Sequence, residues 1–109
     1  YTPKETEEYE ARIAGFARRI MGNEEPFAGP CQAYVKVYKG ITESWPVKTK
    51  LFCLSGVIRP DNKPDGDNYQ KSALDGLNGI VYKDDSQIID MACSKYFSDN
   101  PRLEIEIFL

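Results

Sequence analysis

Residues 31–40, CQAYVKVYKG, place the strongest constraint on the fold, because their apolar side chains recur at every second position. Ala33, Val35 and Val37 fall on one side of an extended chain, and tyrosine and lysine side chains fall on the other. A period of two residues predicts a β-strand with one apolar face. The chain has 109 residues, which is enough for one domain with a modest core.

The chain before this strand has the pattern of an amphipathic helix. Thr2 as N-cap, Pro3 at the first helical position and Glu5 three residues after the cap form a capping box. Apolar residues then recur at spacings of four, three and four, and a glycine follows that would end the helix. These positions are Tyr9, Ile13, Phe16, Ile20 and Gly22.

The middle of the chain contains one ambiguous segment, SWPVKTKLFCLS at 44–55. Its apolar run alone could be a buried strand, but Ser44 as a cap, Pro46 near a helix start and Gly56 as a terminator favour a short helix. The prolines of VIRPDNKPDG then predict an extended loop. A further helix is predicted over 67–78, with Asp67 as its N-cap and a glycine after its end.

Two segments near the C-terminus, QIIDMACSKYF and RLEIEIFL, alternate like strands. The turn-prone SDNP between them predicts that they form a hairpin. The order is therefore helix, strand, helix, loop, helix, strand, strand. It predicts a mixed α+β fold: a single small domain with a mixed sheet of three to four strands and two to three helices.

The composition excludes several kinds of site. The chain has no histidine, which excludes an imidazole base and a histidine-ligated zinc ion. Cys31, Cys53 and Cys93 are odd in number and lack metal-site spacing, so free thiols in a reducing cytosol are expected. No apolar run approaches the roughly 18 residues that span a bilayer, so we expect a cytoplasmic protein without a membrane partner.

The chain has a net charge of −3, and its charged residues are unevenly distributed along the sequence. Residues 31–63 carry six basic and two acidic side chains, whereas residues 64–109 carry four basic and nine acidic ones. A basic segment beside an acidic cluster suits a polyanion held next to a metal site. The alternative interpretation is a set of solvated faces of opposite sign.

The acidic cluster begins in KPDGDNYQK, residues 63–71. Asp65 and Asp67 lie two apart, and Lys71 and Asp75 follow at spacings of four on one helix face. If three carboxylates met at about 5 Å, each pair would repel by about 3 kcal/mol at an effective dielectric constant near 20. A bound cation would offset this repulsion, and oxygen ligands favour magnesium or manganese. Each motif alone could equally be a turn or a surface ion pair.

The segment KPDGDNYQKSALDGLNGIVYKDDSQI, residues 63–88, closely resembles the signature of the RusA family of Holliday-junction resolvases. That signature is K-P-D-x-D-N, a lysine three residues later, D-x-L-N-G and then D-D-x-Q. YTPKETEEYE and ESWPVKTKLFCLSGVIRP also resemble family segments, so the similarity covers nearly the whole chain. Gly66 stands where the family mostly has an aliphatic residue.

The resemblance implies a Mg²⁺-dependent endodeoxyribonuclease, with Mn²⁺ as a possible substitute, that resolves four-way DNA junctions by paired phosphodiester hydrolysis. Metal ions would activate a water and polarise the scissile phosphate, and a lysine would orient or neutralise that phosphate. The matching metal ligands are Asp65, Asp67 and Asp85, the catalytic lysine is Lys71, and Asp75 and Asp84 have supporting roles.

The resemblance also implies a homodimer that binds branched DNA in a bacterial or phage setting. Residues 1–109 would form one endonuclease domain that lacks the family's N-terminal strand and basic segment. DNA contacts are predicted for Lys48, Lys50, Arg59 and Lys63, from their charge and proximity to the signature. Two alternatives remain: a junction-binding module with weak or no catalysis, and a metal-stabilised interaction domain with no nucleic-acid role.

Overall fold

The alternating segment forms strand β1, Cys31–Gly40, in the computed structural model, which describes residues 3–62 and 66–109. The side chains of Cys31, Ala33, Val35 and Val37 are almost completely buried, and the side chains between them are half-buried. The period of two residues therefore decides which face of the sheet packs against the core, as predicted.

β1 is the central strand of a three-stranded mixed sheet with the order β2–β1–β3. β2, Ile88–Ser98, runs parallel to β1, with a register irregularity between Cys31 and Gln32. β3, Arg102–Phe108, runs antiparallel to β1 on its other edge. The predicted hairpin is therefore wrong, because β2 and β3 lie on opposite edges of β1. The predicted α+β class and element order are confirmed.

The turn between β2 and β3 crosses the end of β1 instead of folding back on itself. A Cβ atom at Gly40 would lie 3.1 Å from Cγ of Pro101, so this glycine lets the crossing chain pass closely. Strands two places apart are separated by about 10 Å, which four extended residues can span. Nη1 of Arg102 donates to the carbonyl of Asn100 at 2.9 Å and stabilises the crossing.

Helix α1, Pro3–Met21, ends before Gly22, which has a φ of 56°. The predicted Thr2 cap lies outside the described residues. Ile13 is buried as predicted, but Phe16 and Ile20 of the same stripe are 60% and 83% exposed. The reason is that α1 packs mainly on α3, while an open groove of about 1030 Å³ separates Phe16 and Ile20 from the apolar face of β3.

Two shorter helices, α2, Val47–Leu54, and α3, Gly66–Leu77, occupy the connection between β1 and β2. α2 confirms the helical interpretation, but Pro46 stands at its N-cap, so the predicted Ser44 cap is wrong. α3 begins one residue earlier than predicted, which places Asp67 in its first turn instead of at its cap. Gly79 follows α3 with a φ of 80°, as expected for a helix stop.

The composition led us to expect free thiols and no membrane-spanning segment. Cys31 and Cys53 are buried and Cys93 is partly buried, and all three are free thiols. Within the two described ranges, none of the helices has the length and hydropathy that a bilayer span requires.

α1 and α3 cross in close contact at Gly76, a position in the D-x-L-N-G part of the signature. A Cβ atom there would lie 2.9 Å from Cγ2 of Ile13 and 3.0 Å from the carbonyl oxygen of Glu10. Because one of these neighbours is backbone, a larger residue would force the two helices apart. Helix packing thus accounts for the glycine that this chain carries at the variable position of that motif.

We predict that Gly76→Ala lowers the free energy of unfolding by about 1–3 kcal/mol, since it overpacks this crossing. The matched control is Gly15→Ala in α1, where an added Cβ meets nothing within 4 Å. The control should raise stability by about 0.5–1 kcal/mol through helix propensity. Urea denaturation of both variants checks this, and equal effects would contradict the packing argument.

Candidate active site

The first turn of α3 lies against β2 beside Cys93. A Cβ atom at Gly66 would be 3.7 Å from the Cys93 sulfur, which is ordinary van der Waals contact. Burial raises the pKa of the Cys93 thiol; the Lys95 ammonium opposes this rise and the Asp67 carboxylate adds to it. Both charges therefore lie near this sulfur, and Asp67 itself is exposed.

Lys71 and Asp75 are exposed on α3, one and two turns after Asp67, as the spacing predicted. Both side chains interact electrostatically with Glu10 of α1. Burial raises the pKa of Glu10 in α1, the Asp75 carboxylate adds to the rise, and the Lys71 ammonium opposes it. The three predicted residues of α3 therefore have different neighbours: β2 at the start of the helix and α1 further along.

Asp84 and Asp85 lie at a short 3-10 turn, Asp85–Gln87, which leads into β2. Asp84 is the N-cap: its side chain accepts from the backbone N–H of Ser86 at 3.0 Å. Hydrogen bonds from the side chain and backbone of Ser86 lower the pKa of Asp84. Asp85 is exposed at the first position of the turn, so the two adjacent acids of the signature have different surroundings.

Gln87 anchors this turn, a role that the sequence analysis missed. Its Oε1 accepts from the backbone N–H of Asp84 at 2.9 Å, completing a capping box. Its Nε2 donates to the carbonyls of Phe27 at 2.9 Å and Gly29 at 2.8 Å. The D-D-x-Q signature therefore combines a cap, an exposed carboxylate and an amide that fixes both to a neighbouring loop.

Tyr82 is completely buried between α3 and this turn. Its hydroxyl donates to the carbonyl of Leu74 in α3. Burial raises the pKa of Tyr82, and the carboxylates of Asp85 and Asp75 add to the rise. The phenol therefore stays protonated and links α3 to the segment that carries Asp85.

The metal ligands Asp65, Asp67 and Asp85 stay a prediction. Asp65 lies outside the described residues, while Asp67 and Asp85 are exposed near the starts of α3 and β2. Residues 3–62 and 66–109 hold no group of three or more His, Cys, Asp or Glu side chains that could bind a metal ion. The available carboxylate donors match the oxygen ligands that Mg²⁺ prefers.

The predicted DNA-contacting residues lie in different surroundings. Lys48 in α2 is exposed, 5.8 Å from the ring centre of Phe52, and Lys50 pairs with Glu43 at 3.2 Å. Arg59 is exposed, and its side chain lies against β2. Its Nε donates to the carbonyl of Lys95 at 2.9 Å. Lys63 lies outside the described residues.

Lys39 and Lys95, which the sequence analysis did not select, both contact Asn62, the residue immediately before the signature. Nζ of Lys39 donates to Oδ1 of Asn62 at 3.1 Å, and Nζ of Lys95 donates to the carbonyl of Asn62 at 2.7 Å. Sequence separation hid this cluster, because Lys39 and Lys95 are 56 positions apart and only the pairing of β1 with β2 brings them together.

We expect Gln87→Ala to lower the free energy of unfolding by about 1–3 kcal/mol, because it removes three hydrogen bonds and leaves their backbone partners without this side chain. Gln70→Ala on α3 is the matched control and should change stability by less than about 0.5 kcal/mol. Thermal unfolding of the two variants provides the comparison. Equal small shifts would mean that Gln87 does not anchor the turn.

Tyr82 should make stability depend on alkaline pH. Its pKa is higher in the folded protein than in the unfolded chain, so its contribution is complete below about pH 10 and is lost as the pH rises further. Tyr82→Phe should cost about 1–2 kcal/mol at pH 7, where the hydrogen bond to Leu74 is lost. Urea denaturation from pH 7 to 11 should show the two proteins converging above pH 10; parallel curves would contradict this account.

Comparison with known proteins identifies the family. A family model described as endodeoxyribonuclease RusA matches residues 1–108. Among curated proteins, the uncharacterised protein YqaN of Bacillus subtilis (strain 168) is 44% identical over 81 residues, which cover 72% of this chain and 57% of that relative. The match thus spans less than two thirds of the relative's length, and no solved structure matches the chain. Because the family model covers almost every residue, this chain belongs to the RusA endodeoxyribonuclease family.

Proposed function

We propose that this protein is a Mg²⁺-dependent endodeoxyribonuclease that resolves four-way DNA junctions by paired phosphodiester hydrolysis. The observation that carries the proposal is the family match over residues 1–108. That range contains the complete acidic signature, from the K-P-D-x-D-N motif to D-D-x-Q.

Asp65, Asp67 and Asp85 are the proposed metal ligands. The exposure of Asp67 and Asp85 supports this assignment, because their oxygens can reach an ion and a bound phosphate at the surface. Mg²⁺ held there would stabilise the negative charge that develops on the phosphate during hydrolysis. Mn²⁺ has the same preference for oxygen ligands and would be an alternative ion.

Lys71 is the proposed catalytic cation. It is exposed one turn after Asp67, on the same helix. An ammonium group at that point would neutralise and orient the phosphate as a compact charge. Asp75 and Asp84 are assigned supporting roles. Asp75, like Lys71, interacts electrostatically with Glu10 of α1. Asp84 caps the turn that presents Asp85.

The proposed substrate is branched DNA, and the proposed active form is a homodimer. Resolution of a four-way junction requires two symmetric nicks, and a twofold dimer presents two identical sites. Lys48, Arg59 and Lys63 are proposed backbone contacts, and Lys50 joins them despite its pairing with Glu43, since a surface ion pair contributes little free energy. Such contacts recognise the shape and charge of DNA more than its sequence.

A nicking assay on a labelled four-way junction tests the proposal. The unmodified protein should make paired symmetric nicks that require Mg²⁺, and Asp67→Asn should reduce their rate by more than about 100-fold, since even outer-shell partners of metal sites contribute 10- to 100-fold. Asp99→Asn, in the turn after β2, makes the same chemical change at an exposed position outside the signature and should retain activity.

Three other outcomes distinguish the alternatives. Junction binding without Mg²⁺-dependent nicks would replace the nuclease with a binding module. The absence of any binding to branched DNA at low salt would leave an interaction domain without a nucleic-acid role. Nicking that is unaffected by Asp67→Asn would refute the assignment of the metal ligands.

A further inference from the structure

Two tyrosines and two arginines contact one another on the sheet face opposite the buried side chains of β1. Tyr38 of β1 pairs in register with Tyr96 of β2 and with Arg102 of β3. The two tyrosine rings are stacked, with their centres 5.5 Å apart and an interplanar angle of 23°. Each ring also contacts one guanidinium group: Cζ of Arg102 lies 3.9 Å from the Tyr38 ring centre, and Cζ of Arg59 lies 4.2 Å from the Tyr96 ring centre.

Arg102 has partners within the protein for its charge and its donors. Its Nε donates to Oε2 of Glu104 at 2.7 Å, which makes an ion pair. Its Nη1 donates to the carbonyl of Asn100 at 2.9 Å and to Oγ of Ser98 at 3.3 Å. A carboxylate therefore neutralises this arginine, and its hydrogen bonds stabilise the turn between β2 and β3. We assign Arg102 a structural role.

Arg59 makes the same kind of ring contact but has no carboxylate partner among residues 3–62 and 66–109. It is exposed, and its Nε donates to the carbonyl of Lys95 at 2.9 Å. A guanidinium group has five N–H donors, so this bond leaves the four donors of Nη1 and Nη2. In the part of the chain that the structure describes, neither Nη group makes a hydrogen bond. Arg59 can therefore donate two parallel hydrogen bonds to an anion.

Two contacts restrict the Arg59 side chain before any ligand binds. The face of the Tyr96 ring attracts the planar guanidinium group, and the Lys95 carbonyl holds Nε. A flexible arginine loses rotamer freedom when it binds a ligand, which costs about two- to tenfold in affinity. An arginine that is already ordered avoids part of this loss. The Tyr96 ring is itself supported by its contact with Tyr38.

The contact point of Arg59 on β2 lies near the acidic motif. Lys95 follows Cys93 by two residues on that strand, which corresponds to about 7 Å. The first residue of α3, Gly66, lies against Cys93, and Asp67 follows it in the first turn. The planar fork of an arginine matches two oxygens of a phosphate group. A phosphate of bound DNA could therefore contact Arg59 on the side of β2 while the neighbouring strand passes Asp67.

We propose that Tyr96 is a positioning residue that holds Arg59 as a preordered, two-pronged ligand for a backbone phosphate of the DNA. This inference rests on the proposed function, which supplies DNA as the ligand and includes Arg59 among its contacts. It adds the groups that orient this contact, namely the Tyr96 ring and the Lys95 carbonyl, both on β2. The strand that presents them also supports the start of α3, so the phosphate contact and Asp67 are held by one element.

The test measures binding of a labelled four-way junction in EDTA, where no metal-dependent cleavage occurs, from about 50 to 300 mM salt. Arg59→Gln should bind about tenfold more weakly, and its slope of log affinity against log salt should fall by about 0.9. Tyr96→Leu keeps the charge but removes the ring, so its affinity should fall about two- to tenfold while the slope stays the same. Tyr96→Phe keeps the ring and should bind like the unmodified protein.

Further variants separate positioning from a general structural role. In Arg59→Gln/Tyr96→Leu, loss of the ring should not lower affinity further, because no guanidinium group remains to be positioned. Arg59→Lys keeps the charge but lacks the planar group, so it should bind as weakly as Tyr96→Leu. Lys36→Gln removes one positive charge from the same sheet face, but Glu106 pairs with this lysine at 3.3 Å, so the slope should not change. Thermal unfolding of each variant monitors folding.

Two results would overturn the positioning role even if the unmodified protein nicks junctions. One is an unchanged slope in Arg59→Gln, or an equal fall in Lys36→Gln, because Arg59 would then not be a specific phosphate contact. The other is unmodified affinity in Arg59→Lys, or the same loss from Tyr96→Leu with and without Arg59. If Tyr96→Leu does not fold, the affinity of Arg59→Lys decides alone, since that substitution is at an exposed position.

The same measurements distinguish this inference from the proposed function. The expected fall in slope and the expected loss in Arg59→Lys, without any nicking, overturn the nuclease and retain the positioning role of Tyr96. If the unmodified protein binds no junction at low salt, both proposals are overturned.

Discussion

Strand β1 has hydrogen-bonded neighbours on both edges and one face that is almost fully buried, and the other elements are arranged around these two facts. Its buried residues pack with Ile13 and Ala17 of α1 and with Ala73 of α3. The apolar face of β1 thereby orients the helices, while its edges determine where β2 and β3 lie. The start of α3, which carries Asp67, rests on β2 and consequently depends on the pairing of β2 with β1.

Local sequence patterns were sufficient to predict the helices and strands, but they were insufficient to predict how the strands pair. The alternation in 31–40 fixes a buried face within the strand itself, whereas SDNP has the same turn chemistry whether the chain folds back or crosses another strand. The distinction depends on Gly40, which is distant in sequence but in close contact with Pro101. Similarly, the stripe in α1 predicted a helix, yet the close approach of α3 at Gly76 determined which apolar residues became buried.

The candidate site was predictable where its residues share a motif. The spacing of Asp67, Lys71 and Asp75 placed them correctly on the exposed side of one helix. The anchoring by Gln87 escaped prediction because its partners, Phe27 and Gly29, lie about 60 residues away and offer only backbone carbonyls, which leave no signal in the side-chain sequence. The contact of Lys39 and Lys95 with Asn62 was hidden for a related reason: it arises from strand register and a loop that ends beside it.

The parallel pairing of β1 with β2 has a consequence for the order of folding. A parallel pair cannot form through a tight turn, so the whole connection from Ile41 to Gln87, with α2, α3 and the acidic signature, must be closed before the two strands meet. Closing so long a connection costs entropy that later contacts recover, and such non-local topologies fold slowly. The β1–β2 pair and the residues of the candidate site are therefore expected to become ordered in the same step, and a partly folded chain that lacks one would also lack the other.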